Sequence, residues 1–187
     1  MRSVLCVGGS ETAGVRTTRG WPEHLSSALD ADGCGALVYN RGRAGARLLD
    51  VLRQLPDDLQ VCPRPDVLVV AIPRHDARAG GTPPSELRAL LETVLRWAPA
   101  GRVVLCTPLP VGAAPLGPVR GFARPARRWV EKGSRVLRDV AIDHDAQVVT
   151  WDTMPTELLA DVAHPGPNGY RWLAEQVRPA VRRVLSA

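Results

Sequence analysis

The sequence contains almost no lysine and few aromatic residues. Of its 24 basic residues all but Lys132 are arginine, and aromatic side chains make up 4% of the chain. Proteins that bind single-stranded nucleic acid set aromatic rings among basic residues, so that bases can stack on the rings. The few rings of this chain are not interleaved with arginines in that way. The net charge of +5 therefore predicts a solvated basic surface and no binding of nucleic acid.

The positive charge has an alternative use, which is to bind an anionic group. That group would belong to an anionic substrate or to an acidic partner such as a carrier protein. The arginines that we expect to form such a surface are Arg120, Arg124, Arg127 and Arg128.

Closely spaced cysteines and long apolar segments are also missing. The four cysteines form no C-x-x-C pair, so the sequence indicates neither a zinc site nor a disulfide framework. No apolar run approaches the roughly 20 residues that cross a membrane. The first residues show no charged segment followed by a long apolar one, as a secretory signal would. We therefore expect a cytoplasmic protein that binds no membrane and needs no metal or other cofactor.

The order of apolar and amphipathic segments predicts the fold class. A length of 187 residues with 45% hydrophobic residues suits one domain with a single sizeable core, spanning residues 1–187. Short apolar runs that predict buried parallel strands cover residues 3–7, 36–39, 67–72, 102–106 and 147–151. Amphipathic stretches that predict helices cover residues 21–29, 46–55, 85–97, 126–143 and 168–185. This alternation predicts an α/β protein, a three-layer α/β/α sandwich around a five-stranded parallel sheet.

Two segments rich in glycine and proline interrupt the alternation. Residues 77–84 follow the third predicted strand, and residues 107–125 follow the fourth. Neither can be regular helix throughout. Because ligands of open α/β sheets bind beyond the carboxyl ends of the strands, we expect both segments to wall a substrate pocket, the second as the larger wall or lid. The alternative is that they are ordinary surface loops.

The two ends of the chain carry residues suited to nucleophilic catalysis. Residues 8–14 read GGSETAG directly after the first predicted strand, and residues 161–165 read DVAHP before the last helix. A hydroxyl nucleophile needs an imidazole to take its proton and a carboxylate to orient that imidazole. Ser10, His164 and Asp161 can supply these groups. The alternatives are a turn-forming serine and a capping aspartate, while the P-loop ending G-K-[ST] is absent.

Two further segments complete a set of four blocks. Residues 40–45 read NRGRAG, and residues 73–76 read PRHD after the third predicted strand. With the two terminal motifs, they resemble the nucleophile, oxyanion-glycine, G-x-N-D and D-x-x-H blocks of the SGNH (GDSL-type) hydrolase superfamily, in that order. The chain departs from the family at Gly9, which replaces Asp, at Pro73, which replaces Gly, and at His75, which replaces Asn.

The resemblance implies a flavodoxin-like fold and a division of roles among these residues. Ser10 would be the nucleophile, His164 the general base and Asp161 the group that orients it. The oxyanion hole would consist of the backbone N–H groups of Ser10 and Gly45 and of His75 in place of the family's asparagine, since an imidazole N–H can also donate. The residues expected to contact substrate are Glu11, Arg74 and Asp76.

Three functions remain open at this point. The leading one is hydrolysis of a small-molecule ester or thioester, or removal of an acetyl group, through an acyl-Ser10 intermediate. The second is an acyltransferase or other biosynthetic enzyme that uses the same serine. The third is a catalytically impaired protein that binds a ligand or partner at the former site. Asp161, His164 and His75 could also suggest a metal, but their spacing fits no zinc signature.

Overall fold

All five predicted strands are present and form one parallel sheet. The fold comes from a computed structural model that describes residues 2–77, 81–98, 101–110, 120–161 and 164–187, with only the backbone at residues 120–125. Its strands are β1 (Arg2–Gly8), β2 (Ala36–Gly42), β3 (Val67–Ala71), β4 (Val103–Cys106) and β5 (Gln147–Val149). Within these described ranges their order is β2-β1-β3-β4-β5, and every neighbouring pair is parallel. The carboxyl ends of all these strands therefore lie at the same edge of the sheet.

Helices cover both faces of the sheet. They are α1 (Ser10–Ala13), α2 (Trp21–Ala31), α3 (Leu48–Val61), α4 (Pro84–Leu95), α5 (Arg120–Asp143) and α6 (Pro167–Ser186), with short 3-10 helices at Arg74–Ala77 and Thr156–Leu158. Successive strand residues point to opposite faces: Val4 packs with α2 and α6, whereas Leu5 packs with α3, α4 and α5. The described residues thus bury two apolar clusters, one on each side of the sheet. The predicted three-layer α/β/α sandwich is confirmed.

Several helix and strand bounds differ from those predicted. Strand β2 continues to Gly42 because Asn40 and Arg41, although polar, keep pairing with β1. Helix α3 begins at Leu48 rather than at residue 46, and it continues through Pro56 to Val61. Asp58 lies in that continuation. Its buried side chain forms ion pairs with Arg41 on β2 and with Arg43 just after β2, and these contacts hold the turn after the proline.

The segment between β4 and α5 is shorter than predicted. Helix α5 starts at Arg120, so residues 120–125 are helical and not part of the predicted irregular segment 107–125. Residues 78–80 and 111–119 lie outside the described residues, as do the side chains of Arg120 and Arg124. The predicted lid and the predicted four-arginine surface therefore remain predictions. Arg127 and Arg128 are exposed on α5. None of the described helices is both long and apolar enough to pass through a bilayer.

Candidate active site

Ser10 lies at the carboxyl edge of the sheet, where β1 ends. It is the first residue of α1, a single turn that ends at Gly14 with φ of +74°. Two glycines bring this turn close to the strands. A Cβ atom at Gly8 would lie 2.3 Å from Thr12 Oγ1, and one at Gly42 would lie 2.2 Å from the backbone nitrogen of Ala13. The glycine-rich motif therefore allows the turn that carries the serine to pack directly onto β1 and β2.

His164 and Asp161 form a carboxylate–imidazole pair. Nδ1 of His164 lies 3.0 Å from Asp161 Oδ2 and 3.2 Å from Oδ1, and the His164 backbone N–H donates to Oδ1 at 2.7 Å. The carbonyl of His164 accepts a hydrogen bond from Ala160, which holds the loop before α6. A carboxylate at Nδ1 favours the tautomer with its proton there, which leaves Nε2 to accept a proton. Residues 162 and 163 of this motif lie outside the described residues.

Tyr170 connects the histidine-bearing segment to the serine-bearing segment. Its ring is buried at the start of α6, and its hydroxyl donates to the carbonyl of Val15, just after α1, at 2.8 Å. Burial raises the pKa of Tyr170, and the negative charges of Glu11 and Asp161 raise it further. Carboxylates from both ends of the chain therefore act electrostatically on the same phenol. Tyr170 lies in the first turn of α6, five positions after Pro165, and no local sequence pattern indicates its hydrogen bond to Val15.

Arg16 also contacts the carboxylate of Asp161. Its Nε lies 2.9 Å from Asp161 Oδ2, the same oxygen that is closest to His164, and its side chain is 63% exposed. Arg16 is held at φ of +68°. No local sequence pattern indicates this ion pair, because its partners are 145 positions apart. The contact adds a positive charge at the mouth of the site.

Glu11 and Arg74 form a buried charge pair next to Ser10. Ser10 Oγ donates to Glu11 Oε2 at 3.4 Å, and the Arg74 backbone N–H donates to Glu11 Oε1 at 3.4 Å. The Arg74 guanidinium lies 3.9 Å from Oε1 and donates to the carbonyl of Pro110 at 2.8 Å. Burial lowers the pKa of Arg74, and the charges of Glu11 and Asp161 oppose that effect. Both side chains, predicted to contact substrate, are engaged inside the protein.

Asp76 is likewise buried and serves two backbone segments. Its Oδ2 accepts from the backbone N–H of Leu48, the first residue of α3, at 2.8 Å, and its Oδ1 accepts from the Thr82 hydroxyl at 2.6 Å. Burial raises the pKa of Asp76, while these two hydrogen bonds oppose the increase. Asp76 therefore joins the 3-10 helix after β3 to the start of α3 and to the segment before α4.

His75 and Gly45, which are predicted oxyanion donors together with Ser10, lie on the loops after β3 and β2, on either side of the β1 end that carries Ser10. His75 is half-buried in the 3-10 helix after β3, between the buried Arg74 and Asp76. Gly45 has φ of +77° in the loop after β2. That loop is held to the end of β1 by a hydrogen bond from the Arg43 backbone N–H to the carbonyl of Gly8 at 3.0 Å.

A cavity of about 510 Å³ lies further along this edge. It is bounded by α5, by the loop after β5 and by Pro110, whose carbonyl receives the Arg74 hydrogen bond. Its other lining residues are Arg127, Val130, Glu131, Arg138, Asp152, Thr153 and Thr156. Among the described residues, no group of His, Cys, Asp or Glu side chains is arranged to hold a metal ion.

Comparisons with known proteins identify the family. The model of the GDSL-like lipase/acylhydrolase family matches residues 6–172, so the chain belongs to this family. This stretch contains all the predicted site residues, from Ser10 to His164. The chain is therefore an ester hydrolase of the SGNH/GDSL type, and it has esterase or acylhydrolase activity as its general function. No curated protein sequence matches the chain closely enough to count as a relative.

Solved structures share the fold over the whole chain. A lipase/acylhydrolase from Enterococcus faecalis is 24% identical with a TM-score of 0.81, and the match covers 100% of this chain and 96% of that one. A carbohydrate acetylesterase family member from Sinorhizobium meliloti is 20% identical with a TM-score of 0.80, with 100% of both chains covered. An aryl esterase from M. smegmatis is 17% identical with a TM-score of 0.80, with 98% and 100% covered.

Proposed function

We propose that the protein hydrolyses a small-molecule ester or thioester through an acyl-Ser10 intermediate. His164 acts as the general base and Asp161 orients it. The observation that carries this proposal is the contact of the His164 imidazole with Asp161 at 3.0 Å, in a segment tied to the Ser10 turn through Tyr170 and Val15. The carboxylate stabilises the imidazolium that forms when His164 takes the serine proton.

The reaction proceeds in two halves. In the first, Ser10 Oγ attacks the carbonyl carbon while His164 Nε2 takes its proton, and the resulting oxyanion accepts hydrogen bonds from the backbone N–H groups of Ser10 and Gly45 and from His75. The imidazolium then protonates the leaving alcohol or thiol as the acyl-serine forms. In the second half, His164 takes a proton from water, the hydroxide attacks the acyl carbon, and Ser10 leaves with the proton returned to Oγ.

The decisive experiment combines covalent labelling with turnover. We expect a serine-reactive phosphonate to add to Ser10 in the wild-type protein, as located by peptide mass spectrometry. Ser10→Ala and His164→Ala should each lower kcat for p-nitrophenyl acetate by several orders of magnitude, Asp161→Asn should cost less, and the double variants should be far from additive. Ser186→Ala is the matched control, because this exposed serine bonds only to the backbone of its own helix.

Two outcomes would contradict the proposal. Wild-type turnover in Ser10→Ala would exclude the acyl-serine intermediate. Absence of an adduct on Ser10, under conditions that label a known serine esterase, would exclude an activated nucleophile. Labelling without hydrolysis of any p-nitrophenyl ester or acyl-CoA thioester would instead favour transfer of the acyl group to an acceptor other than water.

A further inference from the structure

We propose that Glu11 is a positioning residue for Ser10, and that its carboxylate occupies the space that a side chain at position 9 would otherwise fill. In this arrangement Gly9, Glu11, Pro73 and Arg74 form one interdependent set, which we call the Glu11 brace. The inference rests on the proposed function, because it assigns a role relative to the nucleophile. It deepens that function by naming the group that holds the serine and the loop beside it.

The space around Gly9 leaves no room for a side chain. A Cβ atom at Gly9 would lie 2.9 Å from Glu11 Oε2 and 2.9 Å from the Cβ atom of Pro73, closer than real Cβ atoms approach other atoms. Glu11 Oε2 is the oxygen that accepts from Ser10 Oγ. Position 9 must therefore be glycine as long as the Glu11 carboxylate and Pro73 hold their places. The carboxylate comes from the residue after the serine instead of from the residue before it.

The charges of Glu11 and Arg74 compensate each other inside the protein. Glu11 and Arg74 are 4% and 5% exposed, so each charge needs a partner inside the protein. The two oxygens of Glu11 are divided between the loops: Oε2 faces Ser10, and Oε1 faces the backbone N–H and the guanidinium of Arg74. A lone carboxylate beside the serine would oppose the negative charge that develops during attack. The arginine compensates this charge, so the brace can hold the serine without repelling the transition state.

The Glu11 brace connects three loops at the carboxyl edge of the sheet. Arg74 continues the connection to the carbonyl of Pro110 after β4, so Glu11 ties together the loops that follow β1, β3 and β4. His75, the proposed oxyanion donor, is the next residue after Arg74. A shift of the brace would therefore move the nucleophile and this donor relative to each other, and displacements of about 1 Å can lower a rate about 100-fold.

The test uses conservative variants of the whole 187-residue chain. We expect Glu11→Gln and Glu11→Asp each to lower kcat for p-nitrophenyl acetate and the rate of Ser10 labelling by the phosphonate about 10- to 100-fold, with KM changed by less than about threefold. Arg74→Gln should have a similar effect, and Glu11→Gln/Arg74→Gln should be no slower than the slower single variant, because the pair acts as a unit. Gly9→Ala should slow labelling through the steric conflict alone.

The control is another carboxylate–arginine pair. Asp32 accepts from Arg178 and connects α2 to α6, outside the brace. Asp32→Asn should lower the midpoint of thermal unfolding without changing kcat or labelling, whereas the Glu11 variants should change both at temperatures far below their own midpoints. Should Glu11→Gln not fold, Glu11→Asp, which keeps the charge but withdraws it by one methylene, provides the same comparison.

The outcomes separate this inference from the proposed function. If the wild-type protein is not labelled at Ser10, the proposed function fails. If it is labelled, but folded Glu11→Gln or Glu11→Asp is labelled at the wild-type rate with unchanged kcat, the brace is overturned and the function stands. Unchanged labelling in Gly9→Ala would overturn the steric part.

Discussion

At the scale of single residues, His75 is the group whose role depends most on its neighbours. Its side chain is half-buried, whereas the residues on either side of it are buried and bonded to other loops. Arg74 fixes the backbone before it and Asp76 fixes the backbone after it. With the backbone fixed on both sides, the His75 imidazole is placed at the edge of the sheet where the proposed oxyanion donor, which must be preorganised, would act.

Replacing His75 tests that role. We expect His75→Ala to lower kcat for p-nitrophenyl acetate about 100- to 1000-fold, with a smaller change in KM, because the donor acts mainly in the transition state. His75→Asn keeps a side-chain N–H and should retain more activity than His75→Ala. His144→Ala, at an exposed turn after α5, is the control and should behave like wild type. Steady-state kinetics measures all three, and an unchanged kcat in His75→Ala would remove His75 from the site.

The residues that form the site differ in how far the sequence could predict them. His164 and Asp161 are three positions apart, so their contact is local and follows from the motif. Glu11 and Arg74 are 63 positions apart, and their burial depends on how three loops meet, which no local pattern encodes. Glu11, Arg74 and Asp76 are buried and have partners inside the protein, which the motifs do not indicate because charged residues are mostly exposed. Their contact with substrate stays a prediction.

At the scale of elements, ion pairs between the end of β2 and helix α3 position the loop that carries Gly45. Arg41 on β2 and Arg43 just after it donate to the buried carboxylate of Asp58 on α3 at distances of 2.6 to 2.9 Å. Burial by itself would raise the pKa of Asp58, but the hydrogen bonds from Arg43 and Arg41 hold it below its ordinary value. These contacts also explain why β2 and α3 extend beyond their predicted ends, because Arg41 on β2 and Asp58 on α3 are paired with each other.

Asp58→Asn should therefore destabilise the protein strongly. Removing one charge from a buried ion pair costs about 3–5 kcal/mol, and we expect this loss in the free energy of urea unfolding at pH 7. Asp57→Asn, at the exposed neighbouring position, is the control and should change stability by less than about 0.5 kcal/mol. A loss of similar size in both variants would contradict the argument.

The lowered pKa of Asp58 predicts that the contribution of this residue to the free energy of unfolding depends on pH. Because the pKa of Asp58 is lower in the folded than in the unfolded protein, its stabilisation is fully present above its ordinary value of 3.8 and is lost as the pH falls through the folded-state pKa. The difference in unfolding free energy between wild type and Asp58→Asn should thus be constant near neutral pH and shrink below pH 3.8. A difference that grows on acidification would show that folding raises the pKa of Asp58 instead of lowering it.

At the scale of the whole molecule, one sheet separates the two apolar clusters and belongs to both. The strand residues alternate between the clusters, so the loss of packing on one face withdraws support from the other. The alternation of strands and helices made this layering predictable from sequence, because the periods of apolar residues are local. The start of α5 was not predictable in the same way, since Pro125 indicates a break that the helix in fact includes.

The shared sheet predicts a single unfolding transition. Leu25 on α2 and Leu91 on α4 are fully buried in opposite clusters, so Leu25→Ala and Leu91→Ala should each cost about 2–5 kcal/mol. Ile142→Ala, at a side chain that is 80% exposed, should be within about 0.5 kcal/mol of wild type. Urea titrations followed by far-ultraviolet circular dichroism and by tryptophan fluorescence should give coincident curves for each variant. Separate transitions for the two probes would show that the layers unfold independently.

The position of β2 in the sheet has a consequence for behaviour in concentrated solution. Within the described residues the sheet ends at β2 on one side and at β5, only three residues long, on the other. The unpaired backbone N–H and C=O groups of an edge strand can pair with a strand of another molecule, and charged side chains on the edge strand oppose this pairing. Arg41 on β2 and Arg43 just after it outnumber the single negative charge of Asp58, so the net positive charge that they leave at this edge would oppose self-association of two such edges.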